Sequence, residues 1–454
     1  MRIPKTRINQ TKLESGTVMA RNFIFLVLIV AFARAADRPT LPVNLTLNQA
    51  LAIALTNSTV IRSAQAGLDQ ATGRYAQSRA TRLPQVDIGL RQNLQTVNLI
   101  GVGIPIPSAT GKLGPFGSMD ARIFFSQELL NFEHRRSWES VRAQEDSSRF
   151  LVNNARELVS LNVVVSYLEA LRAKATRDTL VEQIRLATEL YKLTRERTDQ
   201  GVAAELDAVR AMQPVNSLEQ QRQEAEQNYI AAKLNLANIL QARVSSDFDV
   251  TDSAAYGEGT IPDRDAAVQA AIASRSDYRA AEANVKAAEL KVRSIKSTRL
   301  PTIKAMFDDG QMGNSPVHNL NTYKLQGAID IPVFTGGRTR GEIDEAQGAL
   351  REAQITLDQS RSQIETEVLV AISGVEWALK QVATSAGNVN LSRQELELSR
   401  ARFSQGITDN TEVVNAQDRL SRADDATIRA NYTLGLARAN FARAVGVAET
   451  TYHK

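Results

Sequence analysis

The chain has 454 residues, 43% hydrophobic and 23% charged, with no cysteine, three histidines and a formal net charge of +4. Without cysteine there can be no disulfides, thiolate metal sites or lipid-modified cysteine, and His134, His318 and His453 are too scattered to pair as metal ligands. Residues 1–35 hold six Lys or Arg and one acid, so they carry +5 of that +4, the rest is near −1, and the basic stripe needed for nucleic-acid binding is missing.

In chain order, residues 1–35 read as a signal peptide. Arg2, Lys5, Arg7, Lys12 and Arg21 precede an apolar run from Phe23 to Ala33, and Ala33-Arg34-Ala35 fits a small-x-small cleavage site. The run falls short of the about 20 apolar residues that a membrane-spanning helix needs. The alternative is a buried N-terminal helix, and Met19 offers a second start. Nothing after residue 36 resembles a transmembrane helix, so a mature chain that enters a membrane must do so as a closed β-barrel.

Residues 45–55 form a short amphipathic pattern, and residues 60–83 form a helix that runs into Thr81-Arg82-Leu83-Pro84. Strands are expected over about 85–97 and 117–128, separated by a Gly/Pro-rich loop over 97–117. A helix over about 132–197 follows, free of Pro and Gly, then Arg197-Thr198-Asp199-Gln200-Gly201 and a helix over 202–242. After a linker at 246–262 the order returns: a short helix at 263–273, a helix at 277–300 ending in Thr298-Arg299-Leu300-Pro301, and strands at about 302–310 and 320–333. A long helix at about 337–402, the stretch Arg402-Phe403-Ser404-Gln405-Gly406, a helix at 407–445 and a tail at 447–454 complete it.

The order repeats because the sequence does. A spacing of 217 residues pairs Ala50 with Ala267 and Pro84 with Pro301, and a spacing of 205 pairs Arg135 with Arg340 and Gly201 with Gly406. The first copy, 36–245, is therefore 12 residues longer than the second, 263–446, and the excess falls in the 97–117 loop. Two copies of a half-unit imply an architectural, pseudo-symmetric object.

Each long helix of about 65 residues would reach about 100 Å at 1.5 Å per residue. Ile364, Val368, Ala371, Val375, Ala378 and Val382 hold a 4-3-4-3-4 spacing, the pattern of a heptad seam. In each copy the two shorter helices add up to the length of the long one, so two rods of equal length per copy are expected, with the short amphipathic helices outside them.

The strands alternate. Val86, Ile88 and Leu90 face one way, with Gln85, Asp87 and Arg91 the other. The same holds for Met119, Ala121, Ile123 and Phe125 against Asp120 and Arg122, for Ile303, Ala305 and Phe307 against Lys304, Met306 and Asp308, and for Tyr323, Leu325, Ile329 and Ile331 against Lys324, Gln326 and Asp330. No spare helix remains to cover the apolar face, so lipid is the natural partner and the charged face lines an aqueous lumen. Four strands cannot close a barrel when about eight is the minimum, so the walls must be shared between copies. The competing reading is an exported periplasmic coiled-coil scaffold with no barrel.

From about Leu45 to Gly446 the sequence resembles the TolC-type outer-membrane efflux protein family. The resemblance rests on Leu47-Asn48-Gln49-Ala50-Leu51, the paired Arg-Leu-Pro entries to the strands, Tyr167-Leu168-Glu169-Ala170 and the paired Gln-Gly turns. It implies an α+β membrane protein in the outer membrane: a homotrimer whose 12-stranded transmembrane β-barrel, four strands per chain, meets lipid and continues into a periplasmic α-helical coiled-coil barrel. It also implies a passive exit duct in a tripartite efflux or type I secretion system, fed by an inner-membrane pump and a periplasmic adaptor protein, with no catalytic residue and no cofactor. Gly101-x-Gly103 and Gly336-Gly337 are too short for phosphate loops.

The same resemblance assigns sites. Adaptor contact falls on the two helix-reversal tips: Arg197, Gly201, Val202 and Ala203 in the first, Arg402, Gly406, Ile407 and Thr408 in the second. The family's acidic entrance constriction aligns with Glu412 and Asn415, so one acid and one amide stand where the family has two acids. Three symmetry-related Glu412 carboxylates would repel one another and attract cations, and Asp207 is the first-copy equivalent of Glu412.

Overall fold

The computed structural model describes residues 39–98, 112–245, 247–251, 263–315 and 317–453. The expected signal peptide, most of the expected linker and the centre of the expected loop lie outside those residues. Residues 1–40 and 41–454 form separate units, and the architecture below is that of the second.

A short strand β1 (Asn44–Leu45) leads into α1 (Leu47–Asn57), where Thr46 and Gln49 cap each other's backbone reciprocally. Ser58 caps α2 (Thr59–Ala80), which precedes β2 (Gln85–Asn98) and β3 (Lys112–Leu130). The Asn131 side chain then caps α3 (Phe132–Asp199), 68 residues long and so about 100 Å at 1.5 Å per residue. Next come α4 (Glu205–Ile239) and β4 (Asp249–Val250), then α5 (Arg264–Ser274) and α6 (Ser276–Lys296). The strands β5 (Thr302–Gly313) and β6 (Asn319–Asp330) follow, then α7 (Arg338–Ser404), α8 (Asn410–Val445) and α9 (Ala448–Tyr452).

The four long strands form one antiparallel sheet in the order β2-β3-β5-β6, which leaves β2 and β6 as its edges. Register aligns Val86, Phe125, Phe307 and Leu325 on one face, and Asp87, Phe124, Asp308 and Lys324 on the other. Along the apolar face Ile88, Leu90 and Leu94 are each about three-quarters exposed, so none of the described residues covers them. On the polar face Arg122 donates to Asp120 at 2.7 Å, Asp308 at 2.6 Å and Thr322 at 3.0 Å, bridging three strands. Asp309 breaks the alternation. It shares the apolar face with Ile123 and Tyr323, and it accepts a hydrogen bond from Asn321 at 3.2 Å.

The first hairpin runs further than its Gly/Pro content suggests. Past a bulge at Gln95/Val97, Val97 pairs with Leu113 and Asn98 with Lys112, so residues 112–117 are strand, not loop. The proline at 115 sits beside this register shift, where a strand tolerates a missing N–H.

In the helical layer α3 packs against α2 and α4 on one side and α6 and α8 on the other, while α7 packs along α6 and α8. The order is therefore a rod of α2 with α4, then α3, then a rod of α6 with α8, then α7. The largest apolar core surrounds Tyr167, Leu168, Tyr229 and Leu236, where α1 and the parallel β1–β4 pair rest on α3. The Tyr167 hydroxyl donates to the Leu45 carbonyl at 2.8 Å and ties that layer down.

Candidate functional site

Each long helix ends in the same backbone turn. At the end of α3, Gly201 (φ 76°) donates to Thr198 and Val202 donates to Arg197, both at 2.9 Å. At the end of α7, Gly406 (φ 72°) donates to Phe403 at 3.1 Å and Ile407 to Arg402 at 3.0 Å. These are Schellman caps, in which a residue with positive φ lets two trailing N–H groups return to the last carbonyls, and glycine adopts that φ without a Cβ clash. Val202 and Ile407, one residue past each glycine, are 75% and 60% exposed, so each tip presents an aliphatic side chain to its surroundings. Ala203 and Thr408 are half-buried beside them.

The two arginines before the turns do different work. Arg197 is half-buried, donates to the Phe403 carbonyl at 2.8 Å and the Ser404 carbonyl at 2.9 Å, and lies 4.6 Å from the Phe403 ring centroid. It therefore clasps the carbonyl end of α7, where the helix dipole favours a cation. Arg402 is more open and pairs with Glu412 of its own hairpin at 3.3 Å. Of the residues aligned with the constriction, Glu412 thus carries a counter-charge within the chain. Asn415 is exposed in a cleft between the two hairpins. Asp207 lies 3.8 Å from Arg210, and its carbonyl accepts from Asn410 at 2.7 Å.

Asn410 belongs to a polar ladder that joins the hairpins. Gln417 donates to the Leu186 carbonyl at 3.1 Å and Ser421 to Gln183 at 2.9 Å. Around them pack Leu190, Leu396, Phe403, Val413, Ala416 and Leu420. Sequence reasoning did not single out Asn410, Gln417 or the clasp made by Arg197. A signal was present for the first two: Asn410, Val413, Gln417 and Leu420 keep a 3-4-3 spacing, so two amides occupy seam positions where polar residues set register.

No described helix is long and apolar enough to cross a membrane, and the described residues hold no cluster of three or more His, Cys, Asp or Glu fit for a metal ion. A sheet apolar on one face and polar on the other, joined to two helices of about 100 Å, gives the chain an α+β architecture. The family model for outer membrane efflux protein matches residues 50–241 and again 267–447, and the chain belongs to that family.

Relatives and neighbours agree. The pyoverdine export outer membrane protein OpmQ of Pseudomonas putida is 26% identical over 84% of this chain and 82% of its own length. The outer membrane efflux protein BepC of Brucella suis is 22% identical over 88% of this chain and 85% of its own. Among solved structures, the outer membrane protein VceC of Vibrio cholerae superposes with a TM-score of 0.74 at 19% identity, covering 88% of this chain and 96% of that one. A membrane protein from Pseudomonas aeruginosa gives 0.78 at 18% identity over 88% and 92%. The two relatives are named as export and efflux outer membrane proteins, not as enzymes, which supports a role other than an enzyme's.

Proposed function

We propose that three copies of this chain close into an outer-membrane exit duct, with a 12-stranded transmembrane barrel continuous with a periplasmic helical tube built from two structural repeats per chain. One observation carries the reading: the sheet and the helical layer have their free edges at the same ends of the chain. The sheet is open at β2 and β6, and the helical layer is open at the α2–α4 rod and at α7. The outer flank of α7 carries Val370, Trp377, Leu391 and Leu398 at multiples of seven residues, each more than half exposed, a seam left uncovered by the described residues. A head-to-tail ring pairs β6 with the next copy's β2 and α7 with its α2–α4 rod, so one operation closes both layers. It also removes the sheet edges that lipid does not tolerate.

The duct acts by gated passive passage, receiving cargo from an inner-membrane pump through a periplasmic adaptor. The tips are the adaptor's docking points, with Val202 and Ile407 as apolar contacts on the turns at Gly201 and Gly406, flanked by Ala203 and Thr408. Arg402 borders that surface, while Arg197 acts by fixing the two tips relative to each other. Export of organic solutes, as the names of the relatives state for pyoverdine and toluene, is the activity that this arrangement fits. Glu412, Asn415 and Asp207 form the entrance, with Glu412 held by Arg402. Glu412→Ala together with Asn415→Ala should raise single-channel conductance in planar bilayers. Unchanged conductance would remove these residues from the gate.

A further inference from the structure

The strands and the helices meet at one level. At that end of the sheet Gln85 pairs with Ser126 and Thr302 with Asp330. Just beyond, Arg136 of α3 donates to the Arg293 carbonyl of α6 at 3.4 Å and to the Ser297 hydroxyl, and the Arg82 guanidinium lies 5.3 Å from the Trp138 ring centroid. The four crossings between sheet and helix, residues 79–84, 131–138, 293–301 and 331–342, hold nine Lys or Arg and two acids, a formal +7. Residues 36–454 as a whole are near −1, so positive charge is concentrated here. The opposite end of the sheet, residues 92–98, 112–119 and 311–321, holds one lysine and no acid.

Little of this charge is matched within the chain. Arg136 is engaged as described, and Arg338 lies 3.7 Å from Glu342. The other seven, among them Arg135, Lys296, Arg299 and Arg340, are exposed, and none has a carboxylate within 4 Å among the described residues. Like charges held this close repel one another, so the rim favours an anionic partner. Apolar surface occupies the same crossings: Leu83 is half exposed, and Val333 and Phe334 are about nine-tenths exposed. Leu83 lies three residues before Val86 and Val333 four after Ile329, so hydrocarbon continues from the apolar sheet face into the basic rim. That order, apolar and then cationic, matches the order of a membrane surface, acyl chain and then phosphate. Long Arg and Lys side chains can lay their stems on hydrocarbon while the charge reaches the headgroup.

We propose that this rim is a docking surface for the phosphates of anionic phospholipids in the leaflet on the helical side of the sheet. The cations at the ends of α2 and α6 and the starts of α3 and α7 hold the headgroups, and Leu83, Val333 and Phe334 enter the acyl layer. Arginine suits the task because its planar fork can donate two parallel hydrogen bonds to one phosphate. The nearly uncharged opposite rim offers no such surface, so the preference belongs to one leaflet. The inference rests on the membrane reading above and adds to it a headgroup class and a side.

The test is reconstitution of the full chain into phosphatidylcholine vesicles that contain dibrominated phosphatidylglycerol, with dibrominated phosphatidylcholine as the control. Brominated acyl chains quench tryptophans that they touch. Trp138 sits at the rim, whereas Trp377 lies 39 residues along α7 from Arg338, about 60 Å away at 1.5 Å per residue. Quenching should show phosphatidylglycerol preferred by about fivefold at low salt, falling towards one in about 1 M NaCl, where the Debye length is about 3 Å. Arg135→Gln, Lys296→Gln, Arg299→Gln and Arg340→Gln combined should bring the preference below about twofold. These exposed side chains make no ion pair among the described residues, so the fold should hold, which circular dichroism checks. Equal binding of the two lipids, or a preference that the four changes leave intact, would overturn the proposal. So would a preference removed by inorganic phosphate but not by chloride of equal ionic strength, which would assign the rim to free phosphate. Quenching by neither lipid would sink the membrane reading and this proposal with it, whereas equal quenching by both leaves the membrane reading standing.

Discussion

The two places where a short helix meets the end of a long-rod helix share a backbone but not a chemistry. At the first joint Ser58 caps α2, with its hydroxyl accepting from Val60 at 3.2 Å and Ile61 at 3.5 Å. At the second joint, 217 residues later, Arg275 stands in that position, 4% exposed. It pairs with Asp277 at 2.6 Å and also with Glu367, while Arg443 lies 3.7 Å from the same Asp277. The turn that faces Arg275 has a counterpart in the first copy: Gly446 (φ 78°) and Gln241 (φ 53°), 205 residues apart, are both left-handed. Around the first joint lies the large apolar core with Tyr167 and Tyr229, and around the second a smaller one with Ile364 and Ile372. The same bend can thus be held by hydrocarbon or by charge, and the ionic version depends far more on one residue.

That difference is open to attack. Arg275→Ala leaves two partly buried carboxylates beside Arg443 alone and should cost about 3 kcal/mol. Ser58→Ala removes a cap and should cost about 1 kcal/mol. Urea denaturation of the extracted protein compares the two, and equal losses would erase the contrast.

Acid should act through the same joint. Burial, the largest single influence, raises Asp277 and Glu367. The hydrogen bonds and charge of Arg275, joined by the charge of Arg443 and by hydrogen bonds from the Tyr278 N–H and the Gln363 amide, together outweigh it and hold both carboxyls below their ordinary range. A depressed carboxyl binds its proton more weakly in the folded state. Its contribution is therefore complete above the ordinary carboxylate range and is lost as pH falls through the depressed values. Stability measured by urea at pH 7 and at about pH 3 should fall in the wild type and fall less in Arg275→Ala.

Smaller effects should come from the turns. Gly446→Ala puts a Cβ 3.1 Å from the Arg275 backbone at a φ that L residues avoid, and should cost about 2 kcal/mol. Gln241→Gly relieves a non-glycine left-handed residue and should gain up to about 1 kcal/mol. Opposite signs in thermal melts of the two variants are the expected result.

Much of this was legible in the sequence, because the elements are long and the signals periodic. The rods, the four strands, the two glycine turns and the alternation of Val86 through Leu90 follow from spacing alone. What escaped were contacts between residues far apart in the chain, such as Arg197 with the Phe403 carbonyl and Arg275 with Glu367. Side chains that meet across more than 90 residues leave no local pattern. Residues 112–117 were expected as loop because Gly and Pro there resemble turn chemistry, whereas cross-strand pairing overrides that local preference. Asp309 escaped because polar residues on an apolar face, here Asp309 with Gln311 and Asn321, look like a slip in register until the Asn321–Asp309 hydrogen bond is seen.

The central claim is that one ring closure seals the sheet and the helical layer together. Single-particle electron microscopy of the detergent-extracted protein tests it most directly. The account predicts three-fold particles with a barrel at one end and a helical tube of about 100 Å. Monomers, or rods that remain soluble without detergent, would contradict it.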